Sequence, residues 1–447
     1  MDAIKNDARI GQINVRYLIL SLLFVVTTIN YADRATLSIA GSSLSKNLGF
    51  NPITMGYLLS AYAVAYVVGQ IPGGILLDRY GSKTVYTWSL ALWSLFTITQ
   101  GFVGAFTGLS AAVMLYAMRL AVGLASAPCF PANARIVSSW FPTAERGTAT
   151  AIFNSAQYFA LVAFAPLMGW LVHEFDWPSV FFVMGGIGLV AVVLFVRFVH
   201  SPLDHPHIGS REFDYIEKGG ALIRLDEKSG QRKSQLTWHN VFQILGNSTL
   251  VGIYLGQYCI NVLTYFFVTW FPIYLVQQRG MSILQAGFFT ALPALCGFVG
   301  GILGGVASDS ILKRTGSLTL ARKLPILFGM LLAMLIAACN YVEAQWLVVA
   351  LMAVGFFGKG VGALGWAVVS DTSPKELQGV SFSMFNTAGN LAGIVTPIII
   401  GYIVAKTGSF DSALIFVGAH GLLAIFSYFV IVGKIRRLEL TPAGRIA

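Results

Sequence analysis

Apolar residues along this 447-residue chain gather into long runs separated by short polar turns. A membrane-crossing helix needs about 20 such residues. Runs of that length fall at 17–40, 53–77, 84–104, 109–134, 147–172 and 179–199. A second set falls at 248–275, 285–308, 322–341, 346–370, 377–405 and 411–433. Between them, residues 201–243 form the one long charged stretch, which reads as an exposed loop with one short helix. The pattern predicts an all-α membrane protein of twelve transmembrane helices in two pseudo-symmetric six-helix bundles. The first bundle is 1–200, the central loop 201–244 and the second bundle 245–447. The apolar run that opens at Tyr17 is too long for a signal-peptide core, so it is expected to remain as a membrane helix.

Composition agrees with this pattern. Hydrophobic residues make up 56% and charged residues 11%, against about 25% charged in soluble domains. So few charges cannot clothe a soluble surface, which excludes a cytosolic enzyme, a nucleic-acid binder and a disordered scaffold. The formal net charge of +10 then reports topology. An even number of spans puts both termini and the central loop on one side, and that side takes 23 of the 29 Lys and Arg residues. Among them are Arg146, Arg211, Lys218, Arg232, Lys233, Lys313, Arg314 and Arg322. Lys46, Arg279 and Lys406 fall on the other side, and Arg34, Arg119 and Lys359 fall within spans. The asymmetry predicts a multi-pass membrane protein with both termini and the central loop cytoplasmic. Cys129, Cys259, Cys296 and Cys339 sit in apolar stretches without a CxxC pair, as small buried residues do. His205 and His207 stand beside Asp204 with no further ligand at a recognisable spacing, so no metal and no other cofactor is expected.

The two halves repeat at an offset of 231 or 232 residues. Gly74 and Asp78 meet Gly305 and Asp309, Pro142 and Gly147 meet Pro374 and Gly379, and Phe153-Asn154 meets Phe385-Asn386. Gly169 meets Gly401, and Ile29-Asn30 meets Ile260-Asn261. Duplicated bundles with a site between them are the plan of secondary transporters. After the second span the chain reads GGILLDRYGSK, a tight turn carrying Gly74, Asp78, Arg79, Gly81 and Lys83. Its charges can pair across helices or simply meet water.

Ionisable groups inside spans are costly, by about 2.5–3.5 kcal/mol each on insertion scales. Asp33 and Arg34 are adjacent in span one and point about 100° apart, so each needs another partner. They can form interhelical salt bridges, or Asp33 can take up a proton while Arg34 holds an anion. Burial favours a neutral carboxyl and a nearby cation favours a charged one, so an acid set between them can change charge during a cycle. Arg119 in span four has the fork that suits a carboxylate. Lys359 in span ten lies near mid-span, seven residues before Trp366, and can pair with Asp371 or face a ligand. Several buried cations against one deep acid point to an organic anion as substrate. Tyr31, Tyr62, Tyr66, Asn154, Gln157, Gln257, Asn261 and Asn386 add hydroxyls and amides. Each can serve as interhelical glue, or they can gather around a polyhydroxylated ligand.

The turn after span two resembles the loop motif of the major facilitator superfamily, with Ser82 where that motif carries a further basic residue. That resemblance implies the major facilitator fold, with the loop latching the two halves. The stretches NYADRATLSIAG, SAYAVAYVVGQIPGG, FPANARIVSSWFP, ERGTATAIFNSAQYF, TYFFVTWFPIYLVQ and FFGKGVGALGW resemble the anion:cation symporters of that superfamily. The likeness is greatest to bacterial permeases for glucarate and galactarate. It implies a secondary active transporter that imports sugar diacids with protons by alternating access, the proton being the coupling ion. Galactonate or hexuronate symport is the alternative within the class. A membrane sensor that binds a sugar acid without moving it is the alternative outside it, but the central loop is too short for an output domain. No nucleophile–base constellation supports an enzyme. By the resemblance, Tyr31, Arg34, Tyr66, Arg119, Gln157, Gln257, Trp366 and Asn386 match substrate-site positions and Asp33 matches a proton-titrating acid. Lys359 matches the diacid-transporting members. The partners expected are a sugar-acid anion and the lipid bilayer, with the chain a monomer and no nucleic acid. In one departure, Ser126-Ala127-Pro128 stands where the family shows Glu-Ala-Pro, and a serine cannot titrate.

Overall fold

A computed structural model describes residues 15–143, 145–225, 245–374 and 378–438. Arg232, Lys233 and the rest of the central loop from 226 to 244 lie outside the described residues. Among the described residues there is no strand. Eleven helices there are long and apolar enough to cross a membrane. Span one is α1 (Val15–Leu48) and span two is α2 (Pro52–Tyr80). The crossing between spans two and four is α3 (Ser82–Gln100), which is less apolar than the rest. Its polar residues Ser82, Ser89, Ser94, Thr97 and Gln100 are buried against neighbouring helices and so are kept from lipid.

Span four breaks at Ala127-Pro128 into α4 (Gly108–Ser126) and α5 (Cys129–Trp140). Proline lacks the amide that would continue the ladder. Spans five and six are α6 (Arg146–Phe175) and α7 (Pro178–Phe198), and α8 (Ser210–Lys218) is the short helix of the central loop. Span seven is α9 (Ser248–Thr269) followed by α10 (Phe271–Gln277). Spans eight and nine are α11 (Ile283–Thr315) and α12 (Leu318–Ala333), the latter running on as a 3-10 turn to Tyr341. Span ten is α13 (Gln345–Val361) and α14 (Gly365–Thr372), interrupted by a glycine-rich link. Spans eleven and twelve are α15 (Gln378–Thr407) and α16 (Asp411–Phe426). Side chains such as Val68, Ile71, Trp88, Leu109 and Val193 form an exposed apolar belt, the surface of a multi-pass membrane protein.

Spans one to six pack together, as do seven to twelve. The halves meet where span five packs on eight, two on eleven, and one on seven. The face with the termini and central loop is here the loop face, and the opposite one the far face. Two glycine seals close the seam near the far face. A Cβ on Gly56 would lie 2.6 Å from the Pro397 carbonyl and 3.4 Å from Gly401 Cα. A Cβ on Gly287 would lie 2.8 Å from the Ala165 carbonyl and 3.0 Å from Gly169 Cα. Gly56 and Gly287 are 231 residues apart, and Gly169 and Gly401 are 232 apart, so each seal is the internal copy of the other. Between the seals Ser38 donates to the Thr269 carbonyl, again a pair 231 residues apart.

The central loop docks on the first half. Glu212 accepts from the free amides of Val15 and Arg16, both at 3.0 Å, and so caps α1. Arg16 pairs with Glu145 at 3.2 Å and lies over the Tyr215 ring. His205 donates through Nε2 to the Phe198 carbonyl at 3.3 Å and accepts at Nδ1 from the His207 amide at 3.2 Å. Both ring nitrogens are thus engaged, and burial pushes its pKa down, which keeps it neutral.

Candidate functional site

A cavity of about 270 Å³ lies between the two halves, on the loop-face side of both glycine seals. From span one, Tyr31 and Arg34 line it. Arg34 is held by aromatic faces: its guanidinium carbon is 4.2 Å from the Tyr31 ring and 4.9 Å from each of Tyr62 and Tyr66. Those last two rings are one helical turn apart and stack at 5.7 Å. Arg34 Nη2 also donates to Asn30 Oδ1 at 3.2 Å. Aromatic quadrupoles attract the cation without neutralising it.

Span five contributes Asn154, Gln157 and Tyr158. Span seven contributes Gln257, Asn261, Thr264 and Tyr265, whose spacing puts them on one helix face. Gln257 Nε2 donates to Asn261 Oδ1 at 3.3 Å. Close glycines set these amides in place: a Cβ on Gly389 would lie 2.6 Å from Asn261 Nδ2, and one on Gly365 would lie 2.5 Å from Gln257 Oε1. Span eleven contributes Asn386 and Asn390. Tyr265 Oη donates to Asn390 Oδ1 at 2.9 Å, and Asn390 Nδ2 donates to Asn386 Oδ1 at 3.1 Å. Asn386 Nδ2 donates in turn to Gln70 Oε1 of the other half at 3.4 Å.

Span ten supplies Lys359 and Trp366 from either side of its helix break. Lys359 is buried, with Nζ 5.4 Å from the Tyr158 ring and 5.3 Å from Phe356. The sequence left open a Lys359–Asp371 pair. Asp371 instead receives Arg322 Nε at 2.8 Å, so Lys359 faces the cavity without it. Trp366 is 45% exposed and packs edge-on against Phe382 and Phe385.

Three residues expected at the site stand behind its wall. Tyr66 backs Arg34. Asp33 and Arg119 are each 2% exposed and lie deeper in the first half. Arg119 Nη2 donates to the Arg34 carbonyl at 3.4 Å, while its Nε and Nη1 and Asp33 Oδ1 are buried without hydrogen bonds. Among the described residues neither Asp33 nor Arg34 forms an ion pair. Ser126, also buried, occupies the same region of span four. Tyr158, Thr264, Tyr265 and Asn390 line the cavity beyond the residues that sequence reasoning selects. Tyr265 is one turn from Asn261 and Asn390 one turn from Asn386, so helical periodicity was the available signal.

Outside the cavity, the turn between spans two and three is held by Arg135, which pairs with Asp78 and donates to Ser82 Oγ at 3.2 Å. Ser82, in the motif's basic position, thus serves as an acceptor. Gly81 takes φ +77°, which a side chain would strain, and a Cβ on Gly74 would meet open space. In the second half Arg322 joins Asp371 at 2.8 Å and Asp309 at 3.9 Å.

Residues 23–341 match the family model described as Major Facilitator Superfamily. The chain is 57% identical to a probable galactarate/D-glucarate transporter of Escherichia coli (strain K12), over 96% of each chain. It is 37% identical to a D-galactonate transporter of Escherichia coli O6:H1, over 98% of this chain and all of that one. In fold it resembles an inward-open xylose transporter of E. coli, with a TM-score of 0.70 at 13% identity, over 94% of this chain and 97% of that one.

Proposed function

The chain belongs to the Major Facilitator Superfamily, and from that premise we propose that it imports six-carbon sugar diacids with protons by alternating access. It is a transporter of small sugar-acid anions and not an enzyme. The observation that carries the finer reading is the charge of the cavity. Arg34 enters from one half and Lys359 from the other, amides and hydroxyls line the space between, and no described lining residue is acidic. A diacid offers a carboxylate to each cation and hydroxyls to the amides. The likeness to probable galactarate/D-glucarate transporters supports the same substrate class.

In this reading Arg34 binds the first carboxylate, Lys359 the second, and Gln157, Gln257, Asn261 and Asn386 the hydroxyls. Asn154, Tyr31 and Trp366 shape the space around the carbon chain. Asp33 carries the coupling proton. Its link to substrate runs through Arg119 and the backbone of Arg34. When Asp33 is neutral, the buried Arg34 and Arg119 are left uncompensated, which favours entry of an anion; loss of the proton reverses that preference. With Ser126 in place of a second acid, Asp33 acts alone. The loop face is cytoplasmic, as its basic residues indicate, and the turn bearing Gly74, Asp78, Arg79, Gly81 and Lys83 would latch the halves when that face closes; in this structure its Asp78 and Ser82 are held by Arg135 of the same half.

The test is uptake into proteoliposomes under an imposed pH gradient, comparing labelled glucarate, galactarate, galactonate and glucuronate. Gradient-driven accumulation of the two diacids above the two monoacids is expected. Equal or greater uptake of galactonate would replace the diacid reading with monoacid symport. Binding without uptake of any of the four would indicate a sensor.

A further inference from the structure

Two cavities at the loop-face edge of the first half stand apart from the sugar-acid site. One, of about 390 Å³, lies between the turn after span two, the end of span four and the chain leaving span six. Arg79, Lys83 and His200 line it, and Asp204 is the acid on its wall. Asp78, on the same turn, is engaged by Arg135, so among the described lining residues Asp204 alone faces the two cations Arg79 and Lys83. The N-terminus of α3 also opens here. Its cap is Gly81, with no side-chain cap, so the first amides of the helix lack intrahelical partners. His200 Nδ1 is buried there without a hydrogen bond.

The other cavity, of about 580 Å³, is an apolar groove on the outside of spans two, three and four. Leu76, Trp88, Leu92, Leu124 and Ala125 are among its walls. Trp88 is 65% exposed, as a lipid-facing side chain at this level would be. Tyr80 and Thr84 belong to the walls of both cavities, so the two adjoin.

We propose that together they form one binding site for an anionic glycerophospholipid. The phosphodiester sits on Arg79, Lys83 and the amide end of α3, and an acyl chain lies in the groove. Two cations against one acid favour a headgroup of net negative charge over a zwitterion. The groove faces hydrocarbon and the polar cavity lies at headgroup depth, the arrangement of a tethered phosphate and chain. A soluble phosphate would use the first cavity alone.

Native mass spectrometry of the purified full-length chain tests this. Phosphatidylglycerol and phosphatidylcholine of identical acyl chains compete for the protein, with glycerol 3-phosphate as a soluble arm. Preferential retention of phosphatidylglycerol is expected. The double variant Arg79→Gln/Lys83→Gln should lose about thirty-fold of that preference, and Lys83→Gln alone about fivefold. Ala125→Phe, which fills the groove, should weaken retention of both lipids. Equal retention of the two lipids by the unmodified chain would overturn the proposal. So would an unchanged preference in either Gln variant, unchanged retention in the Phe variant, or full displacement by glycerol 3-phosphate.

Discussion

At the scale of single residues, the proposed function gives Lys359 the work of recognition and Asp33 that of coupling. Lys359 is buried among aromatic rings on the cavity wall, where a hydrogen bond to a charged group contributes about 1.5–3 kcal/mol. Lys359→Gln should therefore lower diacid uptake tenfold or more while galactonate uptake changes little, read as kcat/KM for each substrate in proteoliposomes. Equal loss for both would remove Lys359 from discrimination. Asp33 stands behind the wall, 2% exposed and outside the cavity lining. Asp33→Asn should abolish accumulation driven by a pH gradient yet leave exchange of labelled for unlabelled substrate. Normal accumulation by this variant would assign coupling to another group.

The residues legible in the sequence are those whose chemistry clashes with lipid. Arg34, Lys359, Gln157, Gln257 and Asn386 are conspicuous in apolar runs, and the fold brings them to one cavity. Tyr265 and Asn390 are less visible, because a phenol or an amide can also serve helix packing. Depth was not legible either. Asp33 and Arg34 are sequence neighbours, yet the helix turns one inward and the other to the cavity.

At the scale of elements, hydropathy locates the spans but passes over their interruptions. The link between Val361 and Gly365 and the step at Trp270 lie inside apolar runs, so only the backbone shows them. The break in span ten leaves Lys359 and Trp366 on one wall although three link residues, Gly362, Ala363 and Leu364, interrupt the helix between them. The glycine seals are the elements most sensitive to size. A Cβ at Gly56 or Gly169 meets the backbone of the opposing helix, and backbone yields less easily than a side chain. Gly56→Leu or Gly169→Leu should each weaken the far-face closure, read as faster labelling of a cysteine placed in the cavity by an impermeant reagent added from that face. The two seals are on separate helix pairs, so their effects should add. Unchanged labelling in both would show that closure does not depend on this contact.

At the scale of the whole molecule, the turn after span two ties three helices of the first half through Asp78, Ser82 and Arg135. Asp78→Asn and Arg135→Gln should both reduce transport, Arg135→Gln at least as much because it also loses the bond to Ser82, and the double variant should lose little more than Arg135→Gln alone, because the ion pair is shared. Additive losses would mean that the two residues act separately. The internal repeat extends this reasoning across the molecule. Each seal is matched by its copy 231 or 232 residues away, and the contact at Ser38 and Thr269 lies between equivalent positions.

Those seals join backbone to backbone and place no charge across the seam. Their strength comes from fit, which neither protonation nor dissolved ions alter appreciably. Whatever protonation does near the cavity, the far-face closure itself should answer to mechanical conditions: the lateral pressure of the surrounding bilayer and the thickness it imposes on four helices at once.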